Sequence, residues 1–221
     1  MESGNIAIRL IKHVKPMQEI TSIIFDLGGV ILNLDNRRTE DAFNAMGARN
    51  FREYFGPGMA ASFFREYETG KIKDQQFLSS LRELIHADAP DAILIKAWNA
   101  MLLDFPAERI RLLEELRSRK LRLFLFSNTN ALHLQEFQRI YNNAFPEKQF
   151  DDHFEKAYYS HLMGMRKPEL ESFQLILDEN KLEPESTMFV DDTLVNIEAA
   201  RRLGLRAVHL VPGMQITEIR W

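Results

Sequence analysis

The sequence predicts an α/β fold in which a parallel sheet lies between two layers of helices and a small helical insert interrupts the chain. Two observations carry this prediction. Apolar runs typical of strands buried on both faces alternate with helical patterns along the second half of the chain. A long stretch after the first strand has helical periodicity only. With 221 residues, the chain is long enough for a core domain with a smaller insert.

The first predicted strand carries the apolar run Ile-Ile-Phe at residues 23–25 and ends at Asp26. Sheets of this kind bind ligands in the crevice outside the carboxyl ends of their strands. Gly28 and Gly29 let the backbone turn away and approach whatever the carboxylate holds. Asp26 is therefore a candidate site residue, although a turn-capping role is the alternative at this point.

The helical insert is predicted over residues 37–104. Its clearest pattern is an apolar helix face with Asp74 placed to cap the helix, formed by Phe77, Leu78, Leu81, Leu84 and Ile85. A second helix is predicted at 92–103, and Gly-Pro-Gly at 56–58 breaks the segment. The many aromatic residues of the insert favour core packing over a cofactor site.

From Pro106 onward, helices and strands alternate, which indicates parallel strands with helices on both faces. Pro168 is predicted to begin one of these helices and Gly204 to close another. The predicted strands lie at 121–126, 157–160, 187–190 and 206–211, and the helices at 107–119, 131–141, 168–180 and 193–203.

Composition excludes several classes of function. The net charge of −4 gives no electrostatic case for binding nucleic acid or an anionic membrane. Without cysteine, the chain has neither thiolate catalysis nor a Cys-ligated zinc site. No apolar run approaches the roughly 20 residues that cross a bilayer, and no signal peptide is predicted. The expected location is the cytoplasm.

Polar residues follow three predicted strands at their carboxyl ends, namely Asp26, Ser127 and the pair Asp191-Asp192. These ends share one edge of a parallel sheet, so we expect the side chains to converge. Carboxylates that meet repel one another unless a cation joins them, and an all-oxygen set suits Mg²⁺. Singly, the acid pair or Ser127 is also explained as a helix cap, and Lys167 as a solvated surface charge.

As an ordered set, the polar motifs resemble those of the haloacid dehalogenase-like superfamily of hydrolases, and the resemblance covers residues 23–211. The motifs are Asp-Leu-Gly-Gly-Val at 26–30, Ser-Asn-Thr at 127–129, Lys-Pro at 167–168 and Val-Asp-Asp at 190–192. With Gly-Met-Arg before Lys-Pro, the chain is most similar to the bacterial sugar-phosphate phosphatases of the α-D-glucose-1-phosphatase type.

The resemblance implies a Rossmann-like core domain at residues 20–36 and 105–221. It places a C1-type helical cap at residues 37–104. Residues 1–19 then form an N-terminal extension, to which we assign no function.

The same resemblance implies that Asp26 is a nucleophile, which attacks phosphorus to form an aspartyl-phosphate that water hydrolyses. It implies Mg²⁺ held by the Asp26 carboxylate, the Gly28 carbonyl and the acids of the fourth motif. Asp192 is expected as a direct ligand, and Asp191 as a direct or water-mediated one.

Three further residues take roles from the resemblance. Ser127 and the Asn128 amide are expected to hydrogen-bond the transferring phosphoryl oxygens. Lys167 is expected to neutralise charge on the nucleophile and the phosphoryl group. The partner implied is a small phosphorylated molecule, and the chain is expected to be a monomer or a homodimer.

One position departs from the family pattern. Phosphatases of the family usually carry a second Asp two residues after the nucleophile, where it protonates the leaving oxygen and activates water, but this chain has Gly28. General acid–base help is typically worth about 10²- to 10⁴-fold in rate. Asp35 and Glu68 are candidate substitutes, and residues 68–71 are expected to set specificity.

Three hypotheses follow. The first is a Mg²⁺-dependent phosphatase acting on a small phosphorylated metabolite. The second is a 2-haloacid dehalogenase, whose relatives also lack the second Asp but need no metal, so the Asp191-Asp192 pair would have no role. The third is a catalytically weak relative that binds a ligand or a protein through its cap. Gly28 favours this hypothesis, whereas Asp26, Lys167 and Asp192 argue against it.

Overall fold

The computed structural model describes residues 19–48, 51–54 and 62–221. Its centre is a five-stranded parallel sheet with the strand order β3-β2-β1-β4-β5. The strands are β1 (Ser22–Phe25), β2 (Arg122–Ser127), β3 (Lys156–Tyr159), β4 (Thr187–Asp191) and β5 (Arg206–His209). The predicted α/β class with a parallel sheet is confirmed.

Ten α-helices lie in the described chain, and six of them lie between β1 and β2, of which the first five come before Pro106. These five are α1 (Asn36–Ala45), α2 (Phe51–Tyr54), α3 (Ser62–Glu68), α4 (Asp74–Ile85) and α5 (Asp91–Asn99). The others are α6 (Ala107–Ser118), α7 (Ala131–Ala144), α8 (Ser160–Met163), α9 (Leu170–Asn180) and α10 (Leu194–Arg202).

Apolar side chains cover both faces of the sheet and give the three layers. On one face, Phe25 and Leu125 pack with Leu113 of α6 and Phe137 of α7. On the other face, the packed residues include Ile24, Phe124, Phe173, Ile176, Phe189 and Ile197, from strands and from α9 and α10. Because successive strand residues point to opposite faces, these unbroken apolar runs are what a doubly covered sheet requires.

The helices α1 to α5 have an apolar core of their own. Its buried members include Phe43, Phe51, Phe64, Phe77, Leu81 and Trp98, joined by Leu132 of α7. The aromatic residues of these helices therefore pack in an apolar core, as predicted. The boundaries of the core and cap domains stay a prediction.

Two chain segments join the cap helices to the sheet, and they pair with each other. Leu34 and Leu102 form an isolated antiparallel bridge, and the Leu103 amide donates to the Asn33 carbonyl at 3.0 Å. Because residues 102–103 bond to this neighbouring segment, α5 ends at Asn99 and not at residue 103 as predicted.

Two predicted helix starts are wrong. Asp74 does not cap α4, because Lys73 is the N-cap and the Asp74 carboxylate accepts from the Tyr67 hydroxyl at 2.8 Å. Pro168 does not begin α9, which starts at Leu170, and the peptide bond between Lys167 and Pro168 is cis. The Gly-Pro-Gly break at 56–58 and almost all of the extension at 1–19 lie outside the described residues.

Strand ends shift slightly as well. Ser160 is the first residue of α8 and not the last of β3, and the last strand ends at His209. In the part of the chain that the structure describes, no helix combines the length and the hydropathy that a membrane crossing needs.

Candidate active site

The register of the sheet brings three predicted site residues to one edge. Phe25 is paired with Leu125 on one side and with Val190 on the other. Asp26, Ser127 and Asp191 therefore follow at the carboxyl ends of adjacent strands, and the Asp26 amide donates to the Val190 carbonyl at 2.9 Å. The predicted convergence of these strand ends is what the structure contains.

A buried lysine joins two of the acids. Lys167 Nζ donates to Asp26 Oδ1 at 2.6 Å and to Asp191 Oδ2 at 2.7 Å. Its side chain is almost completely buried, and its ammonium lies over the rings of Phe126 and Phe189 at 5.3 and 5.6 Å from their centroids. We call Asp26, Lys167 and Asp191 the carboxylate cluster.

Burial dominates the electrostatics of Asp26. The pKa of its carboxyl is raised to about 7, because removal from water and the Asp191 and Asp192 charges outweigh the lowering effect of the Lys167 ammonium. The Lys167 pKa is itself raised, because its two carboxylate partners outweigh the cost of its burial. The group as a whole holds more negative than positive charge.

Asp191 is fully buried and is fixed from several directions. Its carboxylate accepts from the Thr193 amide at 2.7 Å and from Asn196 Nδ2 at 3.1 Å, in addition to Lys167. Asp192 is exposed, and its Oδ1 accepts from the Thr193 hydroxyl at 3.0 Å. Asp191 is therefore a rigid member of the site, whereas Asp192 has its carboxylate open to a ligand.

Asp26, Asp191 and Asp192 together could hold a metal ion, because one oxygen from each lies within 4.8 Å of the others. Opposite ligands of Mg²⁺ are about 4.2 Å apart at its usual bond length of about 2.1 Å. The three acids therefore fit this ion with a small contraction or with one bridging water.

The turn after Asp26 requires glycine at position 29 and leaves little space at position 28. Gly29 has a φ of 71°, and a β-carbon there would collide with Asp192 Oδ2. A β-carbon at Gly28 would lie 2.5 Å from Leu34 Cδ1. The Leu34 side chain therefore occupies the space that the family's second Asp would need at position 28.

Ser127 and Asn128 lie beside the carboxylate cluster. Ser127 is buried at the end of β2. The Asn128 side chain is bound to the backbone of Lys167, with Oδ1 accepting from its N–H at 2.9 Å and Nδ2 donating to its C=O at 3.0 Å. The side-chain amide of Asn128 is therefore already engaged within the protein.

The two candidate substitutes for the missing Asp bond to arginines outside the cluster. Asp35 caps α1 and pairs with Arg37 at 3.1 Å, and these hydrogen bonds lower its carboxyl pKa. Glu68, at the end of α3, pairs with Arg166 at 3.2 Å. Burial raises the Glu68 pKa against the lowering effect of Arg166 and Arg65. Neither carboxylate bonds to a member of the cluster in the described chain.

Two residues of the site were not predicted. Asn196 binds the Asp191 carboxylate from the first turns of α10, and Arg166 links the lysine segment to α3. The position of Asn196, five residues after Asp191 on a helix that begins beside it, was the available signal. Nothing in the sequence pairs Arg166 with Glu68.

The sequence pattern of the haloacid dehalogenase-like hydrolases matches residues 20–204. The chain belongs to this family. It is therefore a hydrolase by descent, and the family prediction made from the four motifs is confirmed.

Two curated relatives are phosphatases by name. The D-ribitol-5-phosphate phosphatase of Bacteroides thetaiotaomicron is 26% identical over 185 residues, which cover 84% of this chain and 89% of the relative. The sesquiterpene phosphatase astK of Aspergillus oryzae is 24% identical over 191 residues, 86% of this chain and 90% of the relative.

Solved structures agree with the fold. The HAD family enzyme bt-2542 of Bacteroides thetaiotaomicron is 34% identical, with a TM-score of 0.80 over 89% of this chain and 96% of that one. The wild-type form of bt-2542 has also been solved in complex with magnesium and inorganic phosphate. An L-2-haloacid dehalogenase from Xanthobacter autotrophicus, 18% identical, has a TM-score of 0.52 over 86% of this chain and 77% of that one, and shares the fold.

Proposed function

We propose that the protein is a Mg²⁺-dependent phosphatase that hydrolyses a small phosphorylated metabolite, of the sugar-phosphate or polyol-phosphate class. The observation that carries the proposal is the carboxylate cluster with Asp192 beside it. One oxygen from each of Asp26, Asp191 and Asp192 lies within 4.8 Å of the others, and a buried lysine binds two of these acids. The phosphatase names of two relatives and the magnesium and phosphate bound to bt-2542 support it.

In this proposal, Asp26, Asp192 and the Gly28 carbonyl hold Mg²⁺ directly, and Asp191 holds it directly or through water. Asp192 is exposed, whereas the Asp191 carboxylate already accepts hydrogen bonds from Thr193 and Asn196, which favours Asp192 as the direct ligand. When bound, the ion supplies positive charge that offsets the repulsion between the Asp26 carboxylate and a phosphate dianion.

The protein's own side chains then perform the displacement at phosphorus. An Asp26 oxygen forms a bond to phosphorus while the ester P–O bond breaks and the leaving oxygen takes a proton. Water next hydrolyses the aspartyl-phosphate, which releases inorganic phosphate and restores the carboxylate. Lys167 keeps Asp26 oriented and neutralises charge on the phosphoryl group, and the Ser127 hydroxyl and Asn128 N–H bind its oxygens.

The proton for the leaving oxygen needs another source, because Gly28 has no side chain. We propose that a good leaving group, such as an anomeric oxygen, reduces this need. Of the two substitute acids, the raised pKa of Glu68 suits a proton donor, whereas the lowered pKa of Asp35 does not. The role of Glu68–Lys71 in specificity stays a proposal as well.

The dehalogenase hypothesis is weaker than the phosphatase hypothesis, because halide displacement needs no metal and leaves the Asp192 carboxylate without a role. A purely binding role is also weaker, because a buried lysine between two carboxylates is costly to fold unless the arrangement serves chemistry. Cytoplasmic location and oligomeric state stay predictions.

The test is release of inorganic phosphate from a panel that includes glucose 1-phosphate and ribitol 5-phosphate, with Mg²⁺ and with EDTA. We expect metal-dependent release from at least one sugar or polyol phosphate. Halide release from 2-chloropropionate without metal would support the dehalogenase instead. Release of neither phosphate nor halide would favour the binding role.

The test of specificity is exchange of Thr69-Gly70-Lys71 for the corresponding loop of a relative with another substrate. We expect the order of preferred substrates to change. An unchanged order would contradict the assignment of specificity to this loop.

A further inference from the structure

The main chain of Lys167 is held by one side chain. Asn128 Oδ1 accepts from the Lys167 N–H at 2.9 Å, and Asn128 Nδ2 donates to the Lys167 C=O at 3.0 Å. Among the described residues, these two hydrogen bonds satisfy the N–H and the C=O of Lys167. A planar amide that satisfies a donor and an acceptor of the same residue fixes both its position and its orientation.

Fixing this backbone matters because of what the side chain must do. Lys167 Nζ is placed between Asp26 Oδ1 and Asp191 Oδ2 at 2.6 and 2.7 Å, almost without solvent. Lysine is a flexible point charge that loses much rotamer freedom on burial. Its head group holds this position only if the Cα from which it extends is held as well.

The same contact links two parts of the site that are distant in sequence. Asn128 follows Ser127 at the end of β2, and Lys167 lies 39 residues further along in the segment before α9. These bonds therefore fix the relative positions of the turn that would bind the phosphoryl group and the lysine that would neutralise its charge.

We propose that Asn128 is a positioning residue for Lys167, whose side-chain amide sets the lysine backbone so that Nζ lies between Asp26 and Asp191. The inference rests on the proposed phosphatase function. It assigns the Asn128 side chain to the protein's own lysine and not to the substrate.

A double-mutant cycle tests this assignment. Asn128→Ala is combined with Lys167→Met, which removes the ammonium and retains apolar volume. Two quantities are measured with Mg²⁺ present, namely kcat/KM on the best substrate of the panel and the Kd of inorganic phosphate. We expect Asn128→Ala alone to lower kcat/KM by about ten- to a hundredfold, since a displacement of about 1 Å at a catalytic group has an effect of that size.

In the Lys167→Met background, we expect Asn128→Ala to have almost no further effect on either quantity, because no ammonium remains to be positioned. Equal fold-losses in both backgrounds would overturn the inference, since Asn128 would then act on the substrate or on the fold. The backbone bonds survive Lys167→Met, so the stability cost of Asn128→Ala should be the same in both backgrounds.

Asn180→Ala is the matched control. Its side-chain amide also bonds within the protein, to the Tyr158 hydroxyl at 2.6 Å and the Ile176 carbonyl at 2.7 Å, away from the site. We expect it to lower the melting temperature and leave kcat/KM unchanged. A wild-type protein that neither releases nor binds phosphate would overturn the proposed function and this inference with it.

Discussion

Two groups of buried polar residues differ in how they offset the cost of burial. One is the carboxylate cluster, and the other lies at the contact between the cap helices and α7. The second group consists of Trp98, Asn130 and His133, and we call it the Trp98–His133 joint. All three of its residues are at least nine-tenths buried. The cluster holds charges, whereas the joint holds neutral groups with matched donors and acceptors.

Each polar atom of the joint has a partner of the right kind. His133 Nε2 lies 3.1 Å from the Trp98 carbonyl, which only accepts, so Nε2 carries the proton. His133 Nδ1 then accepts from Asn130 Nδ2 at 3.2 Å, and Asn130 Oδ1 accepts from the Trp98 indole at 3.3 Å. The Trp98 and His133 rings stack at 4.6 Å.

The difference teaches which group serves stability and which serves chemistry. A satisfied neutral network holds two elements together and specifies their geometry. A surplus of buried negative charge destabilises the fold until a cation arrives, which is the property a metal-dependent site needs. The two regions should therefore respond in opposite directions to pH.

The largest expected effect is loss of turnover on replacing Asp26 by Asn, which exchanges the nucleophilic carboxylate for a neutral amide of almost the same volume. We expect phosphate release to fall on the order of 10⁴-fold or more, with folding retained. The measurement is phosphate release with Mg²⁺ present.

Asp178→Asn is the matched control for this change, because its carboxylate lies on the surface of α9 and bonds only to Gln174 at 2.8 Å among the contacts described. We expect wild-type rates from it. Retained turnover in the Asp26 variant would contradict the covalent mechanism.

The next effect concerns the joint. Burial lowers the pKa of His133 to about 4 from its ordinary 6.5, so the unfolded chain binds the proton more tightly. The stability that neutral His133 contributes is present above pH 6.5 and is lost as pH falls toward 4, by about 3 kcal/mol at roughly 1.4 kcal/mol per pH unit. Urea unfolding at several pH values measures this loss.

His133→Gln should flatten the acid side of that stability profile, because an amide does not titrate in this range. A variant whose profile keeps the full wild-type slope between pH 6.5 and 4 would show that other groups cause the loss.

For the carboxylate cluster, the pH dependence of stability has the opposite sign to that of the Trp98–His133 joint. The pKa of Asp26 is raised to about 7 from 3.8, so the folded protein binds this proton more tightly, and the associated stability is lost as pH rises from 3.8 through 7. Mg²⁺ should restore stability, by about 2.7 kcal/mol at 100 times its Kd. Thermal unfolding with and without Mg²⁺ at pH 5 and pH 8 should show the larger gain at pH 8.

Asp192→Asn should weaken the stabilisation by Mg²⁺, because it removes one of the three candidate ligand carboxylates. Mg²⁺ stabilisation that is equal in wild type and variant would place the ion elsewhere.

The smallest expected effect is at Gly28, where an added side chain meets Leu34. We expect Gly28→Asp to destabilise the protein by about 1–3 kcal/mol through overpacking, without a gain in kcat. Adding Leu34→Ala should recover part of the stability by opening the space. A single variant with a faster rate and unchanged stability would show that Leu34 gives way readily.

Strand ends and the functional motifs were predictable because they depend on local pattern. Apolar runs that end in Asp26, Ser127 and Asp191 required only that parallel strands share an edge. Helix starts were less predictable, and Asp74 and Pro168 were misplaced. A side chain caps a helix only if no other group takes its hydrogen bond. The Asp74 carboxylate bonds to the Tyr67 hydroxyl instead of capping α4.

By itself, the sequence determined the α/β class, the family and the residue types at the sheet edge, since each follows from periodicity or from short motifs. Only the tertiary structure decided that Leu34 fills the space above Gly28, that Asn128 binds the backbone of Lys167, and that Glu68 pairs with Arg166. Such contacts depend on how side chains are packed in three dimensions, which periodicity and short motifs do not encode.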